Sequence, residues 1–243
     1  MRRKARRKTA ADAAKYEEAT HGQQYAAKSD GTTEAYKHIQ FRDVAVDVPS
    51  EAYDGLVESY PARCPIATAY MLRPYVRNKV FCDLGCGGGD LTWAVGEWAK
   101  KAIGIEYSLE RAARWDSRES KRENVQFIQA DYFESKIPAA DVYFYWGLPE
   151  FLPRVALMVK KRVSKCLLVG ACHEGFLLYE KDCKSRGQIP KRTKRGHLLE
   201  HVDRYGGYVL RTPVTEEAAV PEWSHKNNRS PWCLCIIPLK RES

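Results

Sequence analysis

The stretch Val80-Phe81-Cys82-Asp83-Leu84-Gly85-Cys86-Gly87-Gly88-Gly89-Asp90 joins a short apolar run to a helical pattern through a cluster of glycines. Val80 to Leu84 predicts a buried strand. From Leu91 to Lys101 the residues Leu91, Ala94, Val95 and Trp98 recur at helical spacing. Glycines between a strand and a helix let the backbone turn sharply and approach a ligand with no Cβ in the way.

Two ligand classes use such a turn. A dinucleotide site follows G-x-G-x-x-G, with the pyrophosphate over the helix N-terminus. Counted from Gly85, the third glycine of that pattern falls on Asp90. A carboxylate there repels a pyrophosphate. The spacing present is Gly85, Gly87, Gly89. S-adenosylmethionine carries a sulfonium and an amino-acid moiety and no phosphate, so an acid such as Asp83 or Asp90 can face its positive charge. The turn therefore favours the sulfonium nucleoside over NAD.

Further along, Glu106 stands about 20 residues after the first glycine, where an acid at a strand end hydrogen-bonds ribose hydroxyls. A plain surface carboxylate is the alternative. Tyr107 follows it. Ala130-Asp131-Tyr132 closes the third apolar run, and an acid there can reach an adenine amino group or serve as a helix N-cap.

Outward from this unit the chain alternates. Strands are expected at Ala102–Glu106, Val125–Ala130, Val142–Trp146 and Cys166–Ala171, with helices at Leu109–Arg122 and Phe151–Val163. This alternation predicts an α/β fold with a parallel sheet covered on both faces. Tyr208–Thr212 and Trp232–Pro238 can add two strands. Residues 36–78 look like a helical lead-in, with Tyr53, Leu56 and Val57 at helical spacing and Pro61 and Pro65 breaking the chain before Ile66. Residues 1–35 are expected to be a basic, disordered arm.

The pieces Val80 to Gly89, Ile103-Gly104-Ile105-Glu106, Gln129-Ala130-Asp131 and Asp141 to Tyr145 occur together, in order and at matching spacing. In this the chain resembles the class I, seven-stranded S-adenosylmethionine-dependent methyltransferases. The resemblance implies a Rossmann-like, seven-stranded, mostly parallel sheet over residues 79–243, with helices on both faces and an antiparallel C-terminal strand. It implies a cofactor above the carboxyl ends of the strands. Gly85, Gly87 and Gly89 would border its methionine part, Glu106 its ribose, and Asp131 and Tyr132 its adenine.

Methyl transfer from a sulfonium is an in-line displacement, so the protein chiefly positions the nucleophile and strips its water. Acceptor chemistry is expected after the fourth strand, at Tyr145-Trp146-Gly147-Leu148-Pro149-Glu150. The Asn/Asp-Pro-Pro-aromatic motif of many amide and adenine N-methyltransferases is absent there. Tyr145 and Trp146 suit a wall for a methylammonium or a flat base, or pack under the next helix. Glu150 can orient an amine or cap that helix. The segment Asp141–Lys161 also resembles small seven-stranded protein-lysine methyltransferases, which places protein lysine ahead of RNA as the acceptor. A non-catalytic binding protein that keeps the fold is the reading from another class.

The 243 residues suit one α/β domain with additions, and 44% apolar content suffices for a sizeable core. No run is long enough to span a bilayer. The formal net charge is +9, and residues 2–8 hold six basic side chains. That arm suits nucleic acid, an acidic protein surface or nuclear import. The stretch Lys184–Leu199 carries six more basic residues and no acid before Leu198, which reads as a basic insertion around 180–205. The eight cysteines form no pair of C-x-x-C hooks. Cys82, Cys166, Cys233 and Cys235 lie in strand-like runs and read as reduced core residues in an intracellular, reducing compartment, with no metal site.

Overall fold

The computed structural model describes residues 39–44, 66–115, 122–147, 151–173, 198–211 and 232–240. All of them fall in the larger of two compact units, Gly31–Ser243. The alternating runs of the sequence form one eight-stranded sheet. Its strands are β1 (Phe41–Asp43), β2 (Val80–Leu84), β3 (Lys101–Glu106), β4 (Val125–Gln129), β5 (Val142–Tyr145), β6 (Lys165–His173), β7 (Tyr208–Arg211) and β8 (Trp232–Lys240). They lie in the order β4-β3-β2-β5-β6-β8-β7-β1. β8 runs antiparallel to both neighbours, and every other adjacent pair is parallel. This is the Rossmann-like, mostly parallel sheet expected from the sequence, with one strand added beyond β7.

Successive strand residues point to opposite faces, and each face has its own core. Cys82, Leu84, Tyr143 and Tyr145 pack with α4 (Leu152–Lys160) and α5 (Leu198–Arg204). Phe81, Val142 and Phe144 pack with α1 (Ile66–Val76) and α2 (Asp90–Val95), and the single turn α3 (Leu109–Ala112) follows β3. On α4 the buried residues are Leu152, Val155, Ala156 and Val159, an i, i+3, i+4, i+7 stripe. Leu152 is fully buried, so truncating it to Ala costs roughly 2–5 kcal/mol.

From β2 the chain winds one way through β3 to β4, then crosses back to β5 on the other side of β2. The carboxyl ends of β2 and β5 therefore flank the topological switch point, where open α/β sheets bind ligands.

Several elements differ from the sequence reading. β1 lies within the stretch read as a helical lead-in; it pairs in parallel with β7 through Phe41↔Val209 to Asp43↔Arg211. The segment containing Tyr53, Leu56 and Val57 lies outside the described residues, as do the basic arm and most of the basic insertion. The helix after the glycine turn stops at Val95 instead of Lys101. Asn124 donates its side-chain amide to the carbonyls of Gly96 and Ala99, at 2.7 and 2.9 Å, drawing that segment onto the start of β4. Pro238 sits inside β8 opposite Leu167. Its outer side is open there, because β7 pairs only as far as Ile236, and a proline is tolerated at such an edge.

Cys82, Cys86, Cys166, Cys233 and Cys235 are free thiols. Burial pushes the Cys166 thiol up to about 12, with the Asp141 charge adding to it, and drives Cys82 higher still. Both are small core residues with little thiolate character. Among the described residues no group of three or more His, Cys, Asp or Glu is placed to hold a metal, and no helix is long and apolar enough to cross a membrane.

Candidate cofactor and acceptor site

The glycine turn continues β2 without leaving the sheet. The N–H groups of Gly85 and Cys86 both donate to the carbonyl of Ile105 on β3, at 2.8 and 3.0 Å. Gly85, Gly87 and Gly89 all have left-handed φ, at 88°, 58° and 84°. Gly89 is the most constrained. A Cβ there would lie 2.5 Å from the ring of Phe127, so the backbone angle and the space exclude any other residue together. On the facing strand a Cβ at Gly104 would meet Cys86 Sγ at 2.7 Å and Thr92 Oγ1 at 2.9 Å. The gap in Ile103-Gly104-Ile105 is thus what lets the turn lie against β3.

Glu106 ends β3 with its side chain almost wholly buried. Its Oε2 accepts the N–H of Gly87 at 3.0 Å and its Oε1 accepts the N–H of Ser108 at 2.8 Å. One carboxylate thereby ties the tip of the turn to the exit of β3. The carbonyl of Gly87 is held as well, since Trp115 Nε1–H donates to it at 3.0 Å. The indole of Trp115 stacks on Phe127 with centroids 5.0 Å apart. Gly87 is therefore fixed at its N–H and at its C=O. Trp115 escaped the sequence reading, because within a helical pattern its position looks like that of any core aromatic.

Asp83 lies beneath the turn, 2% exposed, with Oδ2 accepting the hydroxyl of Thr92 at 2.9 Å. Asp90 occupies the first turn of α2, where a carboxylate suits the helix dipole. Tyr107 projects outward with 70% of its surface exposed, beside Glu106. Gln129 Nε2 anchors its backbone carbonyl at 3.0 Å. Asp131 directs Oδ1 to the N–H of Phe133 at 2.8 Å. One of its two oxygens therefore serves the turn after β4, and among the described residues no helix follows there for it to cap.

Tyr132 is half-buried, with its ring 3.9 Å from where a Cβ of Gly85 would stand. Burial, together with the charges of Asp131 and Glu106, pushes its hydroxyl up to about 12. Arg154 and a hydrogen bond with Tyr145 oppose that shift. Tyr145 itself is buried at the end of β5. It folds back over Gly147, where any Cβ would collide with its hydroxyl and ring.

Tyr145 and Trp146 do not form a joint wall here. Tyr145 belongs to the α4 face with Tyr132 and Phe133, while Trp146 packs into the α1–α2 layer. Strand alternation separates them, and the aromatic partner of Tyr145 is Tyr132. Glu150, with Leu148 and Pro149, lies outside the described residues. Phe133 extends the aromatic group outward, 4.6 Å from Tyr132 and 6.0 Å from Phe151 between centroids, with the Arg154 guanidinium 4.0 Å above its ring.

A concavity of about 360 Å³ lies elsewhere, lined by Ile39, Arg42, Asp203, Gly207 and Tyr208 near the β1–β7 edge. None of the turn or strand-end residues borders it. The glycine turn and the carboxylates of Asp83, Glu106 and Asp131 meet at the switch point, which is the candidate site on that ground and not on volume.

The fold and site define a class: a Rossmann-like sheet with a glycine turn and a strand-end acid at its switch point. No protein-family model matches the chain, and no curated protein sequence does. Solved structures do. An RNA methyltransferase from Salinibacter ruber in complex with S-adenosyl-L-homocysteine is 21% identical over 44% of this chain and 72% of that one, with a TM-score of 0.39. TYW2 of M. jannaschii in complex with AdoMet is 15% identical over 79% of this chain and 80% of that one, with a TM-score of 0.46. A dimethyladenosine transferase from Plasmodium falciparum is 15% identical over 70% of this chain and 59% of that one, with a TM-score of 0.44.

Proposed function

We propose that this chain is an S-adenosylmethionine-dependent methyltransferase whose acceptor is a lysine amine of a protein. The observation that carries the cofactor is the Glu106 clamp. A buried carboxylate at the tip of β3 holds the N–H of Gly87 and still has lone pairs to accept ribose hydroxyls, since an ionised carboxylate offers about four. The exposed ring of Tyr107 beside it gives a nucleobase an apolar surface. The second oxygen of Asp131 suits an exocyclic amine. Gly85, Gly87 and Gly89 leave the backbone bare for the amino-acid end, with Asp83 and Asp90 to balance its positive charge. The residues present thus fit the nucleoside, which when bound supplies an activated methyl group on a sulfonium.

The chain's own work is to place and dehydrate the amine. Tyr145 and Tyr132 bring two hydroxyls together at the carboxyl ends of β5 and β4. The raised Tyr132 hydroxyl keeps its proton at neutral pH, so it serves as a hydrogen-bonding partner and not as the base. The acceptor's proton leaves to a carboxylate or to water. The lysine reading rests on Trp146-Gly147-Leu148-Pro149-Glu150 and the helix that follows. RNA is the second reading, favoured by the basic residues of Lys184–Arg195.

The test is incubation of the full chain with methyl-labelled cofactor and a cell extract. The label should enter material that protease destroys and nuclease spares. Label lost to nuclease would transfer the assignment to RNA. Absence of any binding to millimolar S-adenosylhomocysteine would end the enzymatic reading.

A further inference from the structure

The end of the sheet opposite the site is basic. β2 to β6 all begin there and β8 finishes there. Lys79, Lys100 and Lys101 crowd together, the N–H of Lys100 donating to the carbonyl of Lys79 at 2.9 Å. Two strands away Lys165 stands opposite Lys240 across the β6–β8 pair. All five side chains are exposed. The segments that return from α1 and α4 add Arg73, Arg77, Lys161 and Arg162, also exposed.

Few acids answer them. Glu97 is met by Arg122 at 3.8 Å. Asp141 accepts the N–H of Val80 at 2.8 Å. Among the described residues Glu123 and, at the end of α5 ahead of β7, Asp203 are the other carboxylates on this side. Complementing helix C-termini accounts for Arg73, but not for the lysines at strand ends. The site end is mixed in sign: Asp90, Glu106, Glu110, Asp131 and Glu134 stand there with Arg111, Arg114 and Arg154, the last paired with Glu134 at 3.5 Å.

The partner's chemistry follows from what accompanies the charge. Adjacent strands lie ~4.8 Å apart, so the row from Lys101 on β3 to Lys240 on β8 crosses four spacings, roughly 19 Å. Among the described residues the exposed large apolar side chains are Tyr107, Leu109 and Phe151 at the site end and Leu157 partway along α4. Among the described residues the basic end therefore offers no exposed apolar wedge for a lipid surface and no exposed aromatic anchor for a protein interface. A row of cations without apolar anchors suits a phosphodiester backbone. We propose that this end is a nucleic-acid-binding surface, separate from the site that takes the methyl acceptor. It goes beyond the methyltransferase reading and does not depend on it.

The test measures binding of the full chain to labelled 20-nucleotide single-stranded RNA and DNA across a salt series. Combined Lys79→Ser, Lys101→Ser and Lys165→Ser should lower the salt slope by about 2, at ~0.7 per lost contact, and weaken binding about 50-fold at about 0.15 M salt. Lys100→Ser with Lys161→Ser and Arg162→Ser, which touches no strand interior, should lower the slope as well. Replacing Arg2, Arg3 and Lys4 by Ser separates the arm. If that change abolishes binding while both surface variants keep the parent slope, the proposal falls. It falls too if phosphatidylserine vesicles bind and oligonucleotides do not. S-adenosylhomocysteine calorimetry on each variant should match the parent. A chain that binds RNA and ignores the nucleoside overturns only the enzymatic reading, and the converse overturns only this one.

Discussion

Replacing Glu106 by Gln keeps the shape of the clamp and removes half of its function. The carboxylate accepts two backbone N–H groups, from Gly87 at 3.0 Å and Ser108 at 2.8 Å. An amide has one oxygen. Whichever way it is turned, its NH₂ faces one of those donors, and a buried N–H loses its acceptor. A hydrogen bond to a charged group contributes about 1.5–3 kcal/mol net. For a domain of this size 1 kcal/mol moves Tm by roughly 2–4 °C, so Glu106→Gln should melt about 3–12 °C lower. A ribose hydroxyl on the same carboxylate loses a comparable amount, which is about 10- to 150-fold in Kd. Differential scanning calorimetry reads the first quantity, and titration with S-adenosylhomocysteine the second. A variant that melts with the parent and binds within twofold would refute the clamp. A lower Tm with undiminished affinity would leave Glu106 a structural tie and remove it from the cofactor site.

Trp115→Phe keeps a ring to stack on Phe127 and deletes the donor to the Gly87 carbonyl. It should reduce stability in a urea titration by about 0.5–1.5 kcal/mol and weaken nucleoside binding several-fold. Gly89→Ala combines a left-handed backbone penalty of roughly 1–2 kcal/mol with overpacking of about 1–3 kcal/mol against Phe127. The same titration should show a loss of roughly 2–5 kcal/mol. Tyr132 has its folded pKa raised above the unfolded value of 10.0 to about 12. The stability this represents is complete below pH 10 and is lost as pH climbs from there towards 12. Tyr132→Phe should flatten that alkaline decline in melting experiments. It should leave the pH dependence of kcat/KM below pH 9 unchanged; disappearance of a titration limb there would make Tyr132 the base.

The parts of the site that were legible in the sequence are those where the backbone dictates the residue. Gly85, Gly87 and Gly89 have φ values that other residues avoid, and Glu106 stands at the strand end that nucleotide-binding sheets use. Gly104 stood in the sequence only as part of Ile103-Gly104-Ile105-Glu106; its reason, the close approach of Cys86 and Thr92 from the turn and helix, lies in contacts across strands. Trp115 was hidden because its hydrogen bond spans 28 positions and leaves no trace in local spacing. β1 was hidden for a related reason. Phe41–Asp43 is short and largely exposed, and it is made a strand by bonds to a partner far along the chain. Its flanking N–H of Val44 donates to Arg211, and Val209 donates to Gln40. The supposed wall of Tyr145 and Trp146 overlooked the period of two. Neighbours on β5 face opposite layers, so the ring that meets Tyr145 had to come from another strand.

β8 has a bearing on how this molecule assembles. In the described sheet it is the strand that joins β6 to the β7–β1 pair, and its nine pairings with β6, from Lys165↔Lys240 to His173↔Trp232, come from residues 59 or more positions away. Until β8 is made, β7 and β1 have no edge to join. On the ribosome the half of the sheet that bears the glycine turn can settle early, while the other half waits for the last strand to slide between two that already exist. Such late, long-range insertion is slow and leaves strand edges open to strangers, so crowding during synthesis threatens the β6 flank well before it threatens the nucleoside cradle.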